Sequence, residues 1–457
     1  MEQILIDPQK TYQTIESFGV SGAWWAQEIG GWEEPDEESG LPKRERIAEL
    51  LFDREKGIGV SCYRYNLGAG SKQSGKGQYS PACRRAESFD CDGGAYDWRC
   101  DKNAVWMLRQ AVNYGVSEII FFVNSPPERF TKNGMAHGSK AFHSNLSKAN
   151  YTNFVNYCLD CVAHFRAEGI PVRYLSPVNE PVWKWTGGQE GCHYRPHQVR
   201  TLFRLFADAL EQRPDLVDLK LSGAENGDIR WFNKTYCRIM LGDKKIRARV
   251  DAIDTHSYCV TPQVGPLPSL IGDRLPFLKR YRRYLDRHFP DVPAKTSEWT
   301  HMKGGRDYGM DSALEQTRIL MEDLTILRVC SWQLWIAVSN VDYCDGLIYA
   351  FDDTRTFALT KRYYAFGHFS KFIRPGSVRV HTDAGTHLQA VGFEKDGRQV
   401  VVVANHNTYE TRASLPANVS AVYLTDETHA LTPVVPAAVF SFPSKSVTTI
   451  IIEKQDG

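Results

Sequence analysis

Two glutamates occupy sequence contexts that suit the hydrolysis of a glycosidic bond. Glu180 follows Asn179 in the segment PVNEP at residues 177–181, and Glu298 lies in the segment TSEW at residues 296–299; each closes a short β-like run. Hydrolysis with retention requires one carboxyl group as general acid/base and a second as nucleophile, about 5–5.5 Å apart across the anomeric carbon. The amide of Asn179 could hydrogen-bond the sugar 2-hydroxyl, a contact that strengthens as the transition state forms. One such glutamate alone would equally suit a solvated strand end, so the pair carries the prediction.

The elements that would position these residues alternate between strand and helix patterns. Short aliphatic and aromatic runs predict eight strands, near residues 16–21, 60–65, 118–123, 172–177, 219–222, 250–255, the run before Glu298, and 331–337. Apolar residues recur every three or four positions, as on one face of a helix, over residues 44–52, 103–114, 153–167, 196–210, 275–288 and 312–328. This alternation predicts an α/β fold, a (β/α)8 TIM barrel, whose active residues gather at the C-terminal ends of the strands.

The pattern changes after about residue 375. Short alternating runs separated by Gly, Asn, Asp and Pro lie at residues 377–381, 387–393, 399–404, 419–424 and 446–453. Such runs are typical of a β-sandwich. The stretches at residues 3–7 and 12–15 could add strands to the same sheets. We therefore expect a catalytic barrel over residues 16–365 and a fused side β-sandwich built from residues 1–15 and 366–457.

Charge and hydropathy argue against two classes of partner. The 55 Lys and Arg residues are balanced by 54 Asp and Glu residues, for a net charge of +1, so we expect no nucleic acid. No apolar stretch has the roughly 18 residues that cross a bilayer, so we expect no membrane partner. The 11 tryptophans suit flat surfaces for sugar faces as well as core packing. We expect a monomer that acts on an oligo- or polysaccharide.

Cysteine usage bears on the compartment. The 11 cysteines are scattered rather than paired at short spacings, so we expect neither a disulfide scaffold nor a zinc ribbon. Reduced thiols favour a cytoplasmic protein, and the N-terminal segment MEQILID has no export signal; removal of a leader would instead make the protein extracellular. The sequence leaves open whether Cys83, Cys91 and Cys100, which cluster in one loop, form a disulfide.

Two further patterns suggest ligands that we do not expect. His193 and His197 share a spacing found in zinc sites, but Pro196 interrupts the helix between them, so we expect no metal. Residues 70–76 (GSKQSGK) fit the spacing of a phosphate-binding loop, but Gly77 stands where Ser or Thr would hold magnesium. No helix is predicted after this segment to receive a phosphate. We therefore expect no cofactor and a flexible loop near the cleft.

Motifs spread over nearly the whole chain carry a family resemblance. They lie at residues 17–19 (SFG), 64–66 (RYN), 124–127 (NSPP), 179–181 (NEP), 256–258 (HSY), 297–299 (SEW), 335 (W) and 363–376 (YYAFGHFSKFIRPG). With these motifs the chain resembles glycoside hydrolase family 30 of clan A. The resemblance implies a barrel with a side β-sandwich fed by both termini, and a retaining glycosidase activity.

The resemblance also implies roles for single residues. Glu180 would be the acid/base and Glu298 the nucleophile. Arg64 would lie beside Glu298 and hold its carboxylate ionised, while the hydroxyl of Tyr258 would donate to that carboxylate. Trp335 would form the floor on which the sugar ring stacks.

Other residues of these motifs and loops are candidates for binding the substrate. Glu180 should stay protonated at the working pH, and a less polar setting near the tryptophans of its loop should raise its pKa. Glu225 could bind sugar hydroxyls or form a buried ion pair. The further candidates are Asn124, Trp183, Trp185, Gln189, Glu225 and His256.

Loops after the strands decide the substrate in this fold. Trp24 and Trp25 after the first strand, and residues 183–192 after the fourth, resemble the subfamily that cleaves β-1,6-linked galactan. Differences at residues 128–130 and an insertion at residues 71–97 leave β-1,6-glucan, xylan or a short β-glycoside as alternatives, with endo or exo cleavage open. A non-catalytic carbohydrate-binding barrel would keep the tryptophans but would need neither glutamate.

Overall fold

The computed structural model describes residues 2–90, 94–230, 232–259 and 273–453. Two strands, β1 (Glu2–Gln3) and β2 (Leu5–Thr14), precede a sheet of eight parallel strands. These eight are β3 (Ser17–Ser21), β4 (Cys62–Asn66), β5 (Glu118–Phe122), β6 (Val172–Ser176), β7 (Lys220–Leu221), β8 (Ile253–His256), β9 (Ala294–Trp299) and β10 (Val329–Leu334).

The eight strands close into a barrel. Their hydrogen-bonded order is β7-β6-β5-β4-β3-β10-β9-β8. Beyond β7, Asn226 forms a parallel bridge with Thr255, and the N–H of His256 donates to the carbonyl of Asn226 at 2.9 Å, so the two ends of the sheet meet. The strands are almost entirely buried, as expected where helices cover one face and side chains fill the other. The predicted barrel is confirmed, and each predicted strand overlaps an observed one.

The eighth predicted run, residues 331–337, spans two strands. β10 ends at Leu334, and β11 (Ile336–Ser339) forms a separate sheet with β12 (Gly346–Phe351) and β13 (Thr356–Leu359). Trp335, between them, donates its backbone N–H to the carbonyl of Trp299 at 2.8 Å. The chain therefore leaves the barrel at Trp335, a break that a continuous apolar run does not reveal.

Helices surround the barrel. They are α1 (Ala26–Ile29), α2 (Lys43–Phe52), α3 (Ser71–Ser74), α4 (Lys102–Asn113), α5 (Tyr151–Ala167), α6 (Pro196–Glu211), α7 (Asn233–Gly242), α8 (Lys244–Arg247), α9 (Leu275–His288), α10 (Met310–Glu322) and α11 (Lys361–Ser370). Five predicted helices match α2, α4, α5, α6 and α9 to within two residues at each end.

The sixth predicted helix, residues 312–328, is shorter than expected. α10 ends at Glu322 and a π-helical turn follows over Asp323–Leu327. The buried carboxylate of Asp323 accepts hydrogen bonds from the hydroxyl of Ser257 at 2.8 Å and the indole of Trp332 at 2.9 Å. This turn therefore anchors α10 to β10, through Trp332, and to the loop after β8, through Ser257.

The rest of the chain forms two further sheets. Their strands are β14 (Val378–Asp383), β15 (Gln389–Lys395), β16 (Arg398–Asn405), β17 (Thr411–Ser414), β18 (Val419–Thr425), β19 (Thr432–Val434), β20 (Val439–Phe442) and β21 (Ser446–Glu453). One sheet has the order β19-β18-β21-β16-β15-β14-β2, and the other has the order β1-β17-β20. One hydrophobic cluster lies between the two sheets. It includes Ile4, between β1 and β2, together with Val401, Phe442 and Ile450 from strands of the two sheets. The N-terminal strands thus join the C-terminal sheets.

Two expectations from the sequence concern a membrane span and a disulfide. Among the described residues, no helix combines the length and the apolar character that a membrane crossing demands. Cys91 lies outside the described residues, so the disulfide that Cys83, Cys91 and Cys100 could form is not tested.

Candidate active site

The two glutamates lie close together at the C-terminal end of the barrel. Glu298 is the fifth residue of β9, and Glu180 follows β6 in a left-handed conformation, with φ of 44°. The N–H of Glu180 donates to the carbonyl of Glu225 at 3.0 Å, which holds this turn in place. One carboxylate oxygen of Glu180 and one of Glu298 lie within 4.8 Å of each other, and a ring nitrogen of His256 lies within the same distance of both.

Three side chains contact the carboxylate of Glu298. The hydroxyl of Tyr258 donates to Oε1 at 3.0 Å, and Nη1 of Arg64 donates to Oε2 at 3.3 Å. Nδ1 of His256 lies 3.4 Å from Oε1. Because β8 pairs with β9, the register places His256 directly opposite Glu298. The contacts of Arg64 and Tyr258 are those that the family resemblance implied.

The guanidinium of Arg64 contacts two carboxylates, those of Glu298 and Glu225. Its Nη2 lies 3.0 Å from Oε2 of Glu225, and both side chains are fully buried. Burial favours the protonated form of Glu225, but Arg64 and then His256 outweigh it and hold the pKa of Glu225 below its usual value. Glu225 is therefore a buried ion-pair partner without access to the cavity, which corrects its place among the substrate-binding candidates.

His256 is a cation between carboxylates. Its Nδ1 lies 3.0 Å from Oε1 of Glu180, and its Nε2 lies 3.9 Å from Oε2 of Glu225. Burial disfavours the charged ring, but Glu298, the hydrogen-bonded Glu180 and the nearby Glu225 overcome this and raise the pKa of His256 to about 10. The ring is therefore an imidazolium at neutral pH, and its Nδ1–H donates to Glu180.

The nucleophile candidate titrates near neutral pH. Burial raises the pKa of Glu298 to about 7, with a further contribution from Glu180, while His256 and Arg64 oppose the rise. Arg64 favours the ionised form of Glu298, but burial has the larger effect on this pKa, and Arg64 divides its guanidinium between Glu298 and Glu225.

The donor set Glu180, His256 and Glu298 has the spacing of a metal site. A histidine ligand must be a neutral imidazole, however, whereas His256 is protonated by its surroundings. Arg64 also lies against Glu298 and would repel a cation. The chemistry of these groups therefore suits hydrogen bonding to carboxylates and to a sugar better than metal binding.

A cavity of about 360 Å³ opens above the two glutamates. Its lining includes six of the predicted substrate-binding residues: Asn179, Tyr258, Trp183, Trp185, Gln189 and Trp335. Three residues that the sequence analysis missed also line it, Gly227, Asp228 and Met302. The position of residues 227 and 228 just after β7 was the one signal that could have identified them, because loops after barrel strands form the site.

Gly227 fits against the acid/base candidate. A Cβ atom at this position would lie 2.8 Å from Oε1 of Glu180 and would collide with the indole nitrogen of Trp183. The indole N–H of Trp185 donates to the backbone carbonyl of Glu180 at 2.9 Å. The glycine and the two tryptophans therefore fix where the Glu180 carboxyl can lie.

The tryptophans after the first strand have different environments. Trp335 lines the cavity, and Trp24 packs edge-on against it, with ring centroids 5.2 Å apart. Trp25 is 0% exposed, and its indole N–H donates to the carbonyl of Ser21 at 2.9 Å. Trp24 therefore supports Trp335, whereas Trp25 packs in the core and does not reach the cavity, which corrects its expected substrate contact.

Asn179 is held by a chain of amides. Its Nδ2 donates to Oδ1 of Asn124 at 3.0 Å, and Nδ2 of Asn124 donates to Oδ1 of Asn66 at 3.3 Å. Asn124 is buried and is not part of the lining of the cavity, so it acts by holding the amide of Asn179. Oδ1 of Asn179 is buried and accepts no hydrogen bond from any described residue. Asn179 thus brings an unsatisfied acceptor to the wall of the cavity.

The segment that resembles a phosphate-binding loop is occupied by a protein carboxylate. Glu190 is fully buried and accepts the backbone N–H groups of Ala69 at 3.0 Å and Ser71 at 3.3 Å, and the Ser71 hydroxyl at 2.6 Å. These donors are the kind that a phosphate would need. Residues 71–74 form the short helix α3 rather than the flexible loop that we expected. Glu190 instead ties this segment to the loop that follows Glu180.

Comparisons with known proteins identify the family of the chain. The model for O-glycosyl hydrolase family 30 matches residues 1–263 and 296–349. A curated endo-β-1,6-galactanase from Hypocrea rufa is 26% identical over an alignment of 437 residues, which covers 89% of this chain and 82% of the relative.

Solved structures show the same fold. A conserved exported protein from Bacteroides fragilis aligns with a TM-score of 0.84 at 23% identity, covering 98% of this chain and 100% of the other. The catalytic domain of the family 30 xylanase C from Talaromyces cellulolyticus aligns with a TM-score of 0.73 at 18% identity, covering 99% and 100%. The chain is a glycosidase with a carbohydrate substrate, and it belongs to glycoside hydrolase family 30.

Proposed function

We propose that this glycosidase hydrolyses β-1,6-linked galactan with retention of anomeric configuration, Glu298 acting as the nucleophile and Glu180 as the general acid/base. The observation that carries the proposal is the approach of one Glu180 oxygen to one Glu298 oxygen within 4.8 Å. Retaining glycosidases hold their two carboxyl groups about 5–5.5 Å apart, whereas inverting enzymes separate them by about 6.5–9.5 Å to admit a water molecule. The endo-β-1,6-galactanase relative supports the choice of linkage.

In the first step the glycosidic bond breaks and an ester bond forms. Oε of the ionised Glu298 attacks the anomeric carbon, while Glu180 transfers its proton to the glycosidic oxygen of the departing sugar. The Tyr258 hydroxyl and the Arg64 guanidinium hold the Glu298 carboxylate in the direction of attack. Glu180 is left as a carboxylate beside the cationic ring of His256, which stabilises the new charge.

In the second step water replaces the enzyme at the anomeric carbon. The Glu180 carboxylate accepts a proton from water, whose oxygen attacks the anomeric carbon and releases Glu298 as a carboxylate. Two inversions at one carbon restore the starting configuration. Glu180 ends the cycle protonated, and no other reactant is consumed.

Asn179 would stabilise the transition state through the 2-hydroxyl. Asn179 lines the cavity, and its Oδ1 is buried without a partner among the described residues, whereas its Nδ2 already donates to Asn124. The oxygen would therefore accept the hydrogen bond from the sugar. Trp335, supported by Trp24, would offer its ring face to the sugar bound between the glutamates.

The first test is product release from a panel of polymers. Wild type and Glu298→Ala would be incubated with β-1,6-galactan, β-1,6-glucan and glucuronoxylan, and the products separated by chromatography. We expect galactose or β-1,6-galacto-oligosaccharides from wild type alone. Release from another polymer would retain the glycosidase and overturn the galactan proposal. NMR of the first product formed would report its anomeric configuration, and the inverted anomer would exclude the double displacement.

The roles of the two carboxyls are separable by the leaving group. Glu298→Ala removes the attacking oxygen, so we expect loss of turnover on every substrate. Glu180→Ala removes only the proton donor, so activated aryl glycosides, whose leaving groups need no proton, should retain far more of the first step than the polymer does. Equal losses on both substrates would contradict the assignment.

A further inference from the structure

A second cavity continues from the first along the loop of Glu180. It has a volume of about 550 Å³ and is lined by residues 182–189. Four of its lining residues, Trp183, Trp185, Gln189 and Asp228, also line the cavity above the glutamates. The two cavities therefore adjoin and together form a groove, and the second part extends away from Met302 and Trp335, which line only the first.

Two exposed phenylalanines border this second part. Phe142 is 57% exposed and Phe232 is 53% exposed, and both line the groove. Both lie on the loops after β5 and β7, and loops after the strands form the site in this fold. Their backbones are left-handed, with φ of 58° and 59°, a conformation that is costly for a bulky residue.

The groove wall is held by the same loop that carries Glu180. The Phe142 ring packs edge-on against the His193 ring, with centroids 5.8 Å apart, and Nδ1 of His193 lies 3.0 Å from the carbonyl of Trp183. The N–H of Gly138 donates to the carbonyl of Trp185 at 2.8 Å. Phe142 is therefore positioned relative to the tryptophans and does not stand on an isolated loop.

We propose that this groove binds the leaving-group side of the carbohydrate chain, with Phe142 and Phe232 as its stacking surfaces. The inference rests on the proposed function and deepens it. Glu180 must give its proton to the oxygen that joins the two sugars, so the departing sugar lies on the side of Glu180. The groove leaves the site along Glu180's own loop, and its length beyond Trp183 and Trp185 provides room for further sugar residues.

The consequence is a preference for substrates whose departing part is several sugars long. A carbohydrate that reaches Phe142 or Phe232 has further sugars on the leaving-group side, beyond the sugar whose glycosidic oxygen receives the proton. Flat rings stack on the apolar faces of sugars, and each such ring adds binding energy that a short substrate cannot use. Longer substrates should therefore be hydrolysed with a higher kcat/KM.

The test compares substrates of different length in ring-deletion variants. Phe142→Ala and Phe232→Ala would be assayed on long β-1,6-galacto-oligosaccharides and on an activated aryl galactoside, whose leaving group ends before the phenylalanines. We expect kcat/KM to fall roughly tenfold for each ring on the long substrate and to stay unchanged on the short one. Phe142→Tyr keeps a flat ring and should retain the wild-type preference for length. Tyr409→Ala, which removes a ring that is 52% exposed on the side sheets, is the matched control and should change neither value.

Each outcome assigns the failure to one proposal. Equal loss on long and short substrates, or loss on neither, would overturn the binding of the leaving-group side. Inactivity of wild type on galactan would overturn the substrate proposal alone. The same variants would then be measured on oligosaccharides of the polymer that wild type does hydrolyse. If kcat/KM of the variants rises with substrate length as much as that of wild type, the groove proposal is overturned.

Discussion

At the scale of single residues, the absence of a side chain at Gly227 gives the Glu180 carboxyl its place. We predict that Gly227→Ala lowers kcat on the natural polymer by roughly a hundredfold, because a displacement of about 1 Å at the reacting group is sufficient for such a loss. The added methyl would lie 2.8 Å from Oε1 of Glu180, so the carboxyl or the Trp183 indole must move. Steady-state kinetics would measure the effect.

The control is a second glycine-to-alanine change. Gly242 is the last residue of α7, and a Cβ atom there meets nothing within 4 Å. Gly242→Ala should leave kcat unchanged. Equal activity of Gly227→Ala and wild type would mean that the Glu180 carboxyl does not need its observed position.

The positive charge of His256 should affect how kcat/KM falls at acidic pH. Glu298 must be ionised to attack, so kcat/KM should fall as the pH drops below about 7, the pKa of Glu298. His256 lowers that pKa, and His256→Gln removes its positive charge. The pKa of Glu298 should then rise and the acid limb should move to higher pH. A profile of kcat/KM against pH measures the shift.

A surface histidine provides the comparison for this profile. His387 is on the side sheets and is more than half exposed, so His387→Gln should leave the acid limb where it is in wild type. An acid limb that stays in place in His256→Gln, or moves to lower pH, would show that His256 does not stabilise the ionised form of Glu298.

The site could be predicted from sequence only where chemistry is tied to a motif. Glu180, Glu298 and Asn179 stand at strand ends that the periodicity reveals, and the structure brings them to one cavity. Gly227 and the phenylalanines of the groove belong to no motif, and only their place in loops after barrel strands points to them, because their importance arises from contacts between distant loops. The burial of Trp25 was equally hidden, since adjacent tryptophans in a turn face different sides.

At the scale of secondary-structure elements, buried ions connect three strands at the face opposite the site. Nζ of Lys295, the second residue of β9, lies 2.9 Å from Glu16, just before β3, and 3.6 Å from Glu118, the first residue of β5. Lys295 and Glu118 are almost completely buried. Strand starts lie at the N-terminal face of the barrel, where residues contribute to stability rather than to catalysis.

We predict that Lys295→Met destabilises the fold by about 3–5 kcal/mol, because it removes the buried cation beside Glu118 and leaves only the partly exposed Arg173, at 3.7 Å, to balance that carboxylate. Urea unfolding at neutral pH would measure the loss. The matched control is Lys445→Met, which breaks a largely exposed ion pair with Asp311 and should have no measurable effect. If both variants unfold at the wild-type urea concentration, the buried cluster does not stabilise the barrel.

The elements themselves were predictable where burial is continuous. Barrel strands are covered on both faces and read as apolar runs, and the long helices show one apolar face, so both were found. The sheet of β11, β12 and β13 was missed because its first strand continues the apolar run of β10. The turn at Asp323 was missed because its cause is a set of hydrogen bonds from other strands.

At the scale of the whole molecule, α11 joins the barrel to the side sheets. On the barrel side, the hydroxyl of Tyr363 donates to the carbonyl of Leu50 in α2 at 2.8 Å. On the other side, the His368 ring is hydrogen-bonded at 2.7 Å to Thr449 in β21 and at 2.8 Å to Thr425 in β18. The motif at residues 363–376 marked this junction in the sequence, but the buried histidine between two threonines required the structure.

This junction predicts a loss of stability in acid. Burial lowers the pKa of His368 to about 3, whereas an unfolded histidine has a pKa near 6.5. Between these values the unfolded chain binds the proton and the folded chain does not, so the contribution is present above about pH 6.5 and is lost as the pH falls toward 3. From pH 7 to pH 5 the loss from this one group should be about 2 kcal/mol.

The contribution can be isolated by replacing the histidine with a group that does not titrate. His368→Gln can still donate and accept hydrogen bonds with the two threonines, so we expect a folded protein whose stability falls about 2 kcal/mol less than that of wild type between pH 7 and pH 5. Urea unfolding at the two pH values measures the difference, and His197→Gln, at an exposed position, should show the wild-type dependence. If His368→Gln loses as much stability in acid as wild type, protonation at this junction does not weaken the attachment of the side sheets to the barrel.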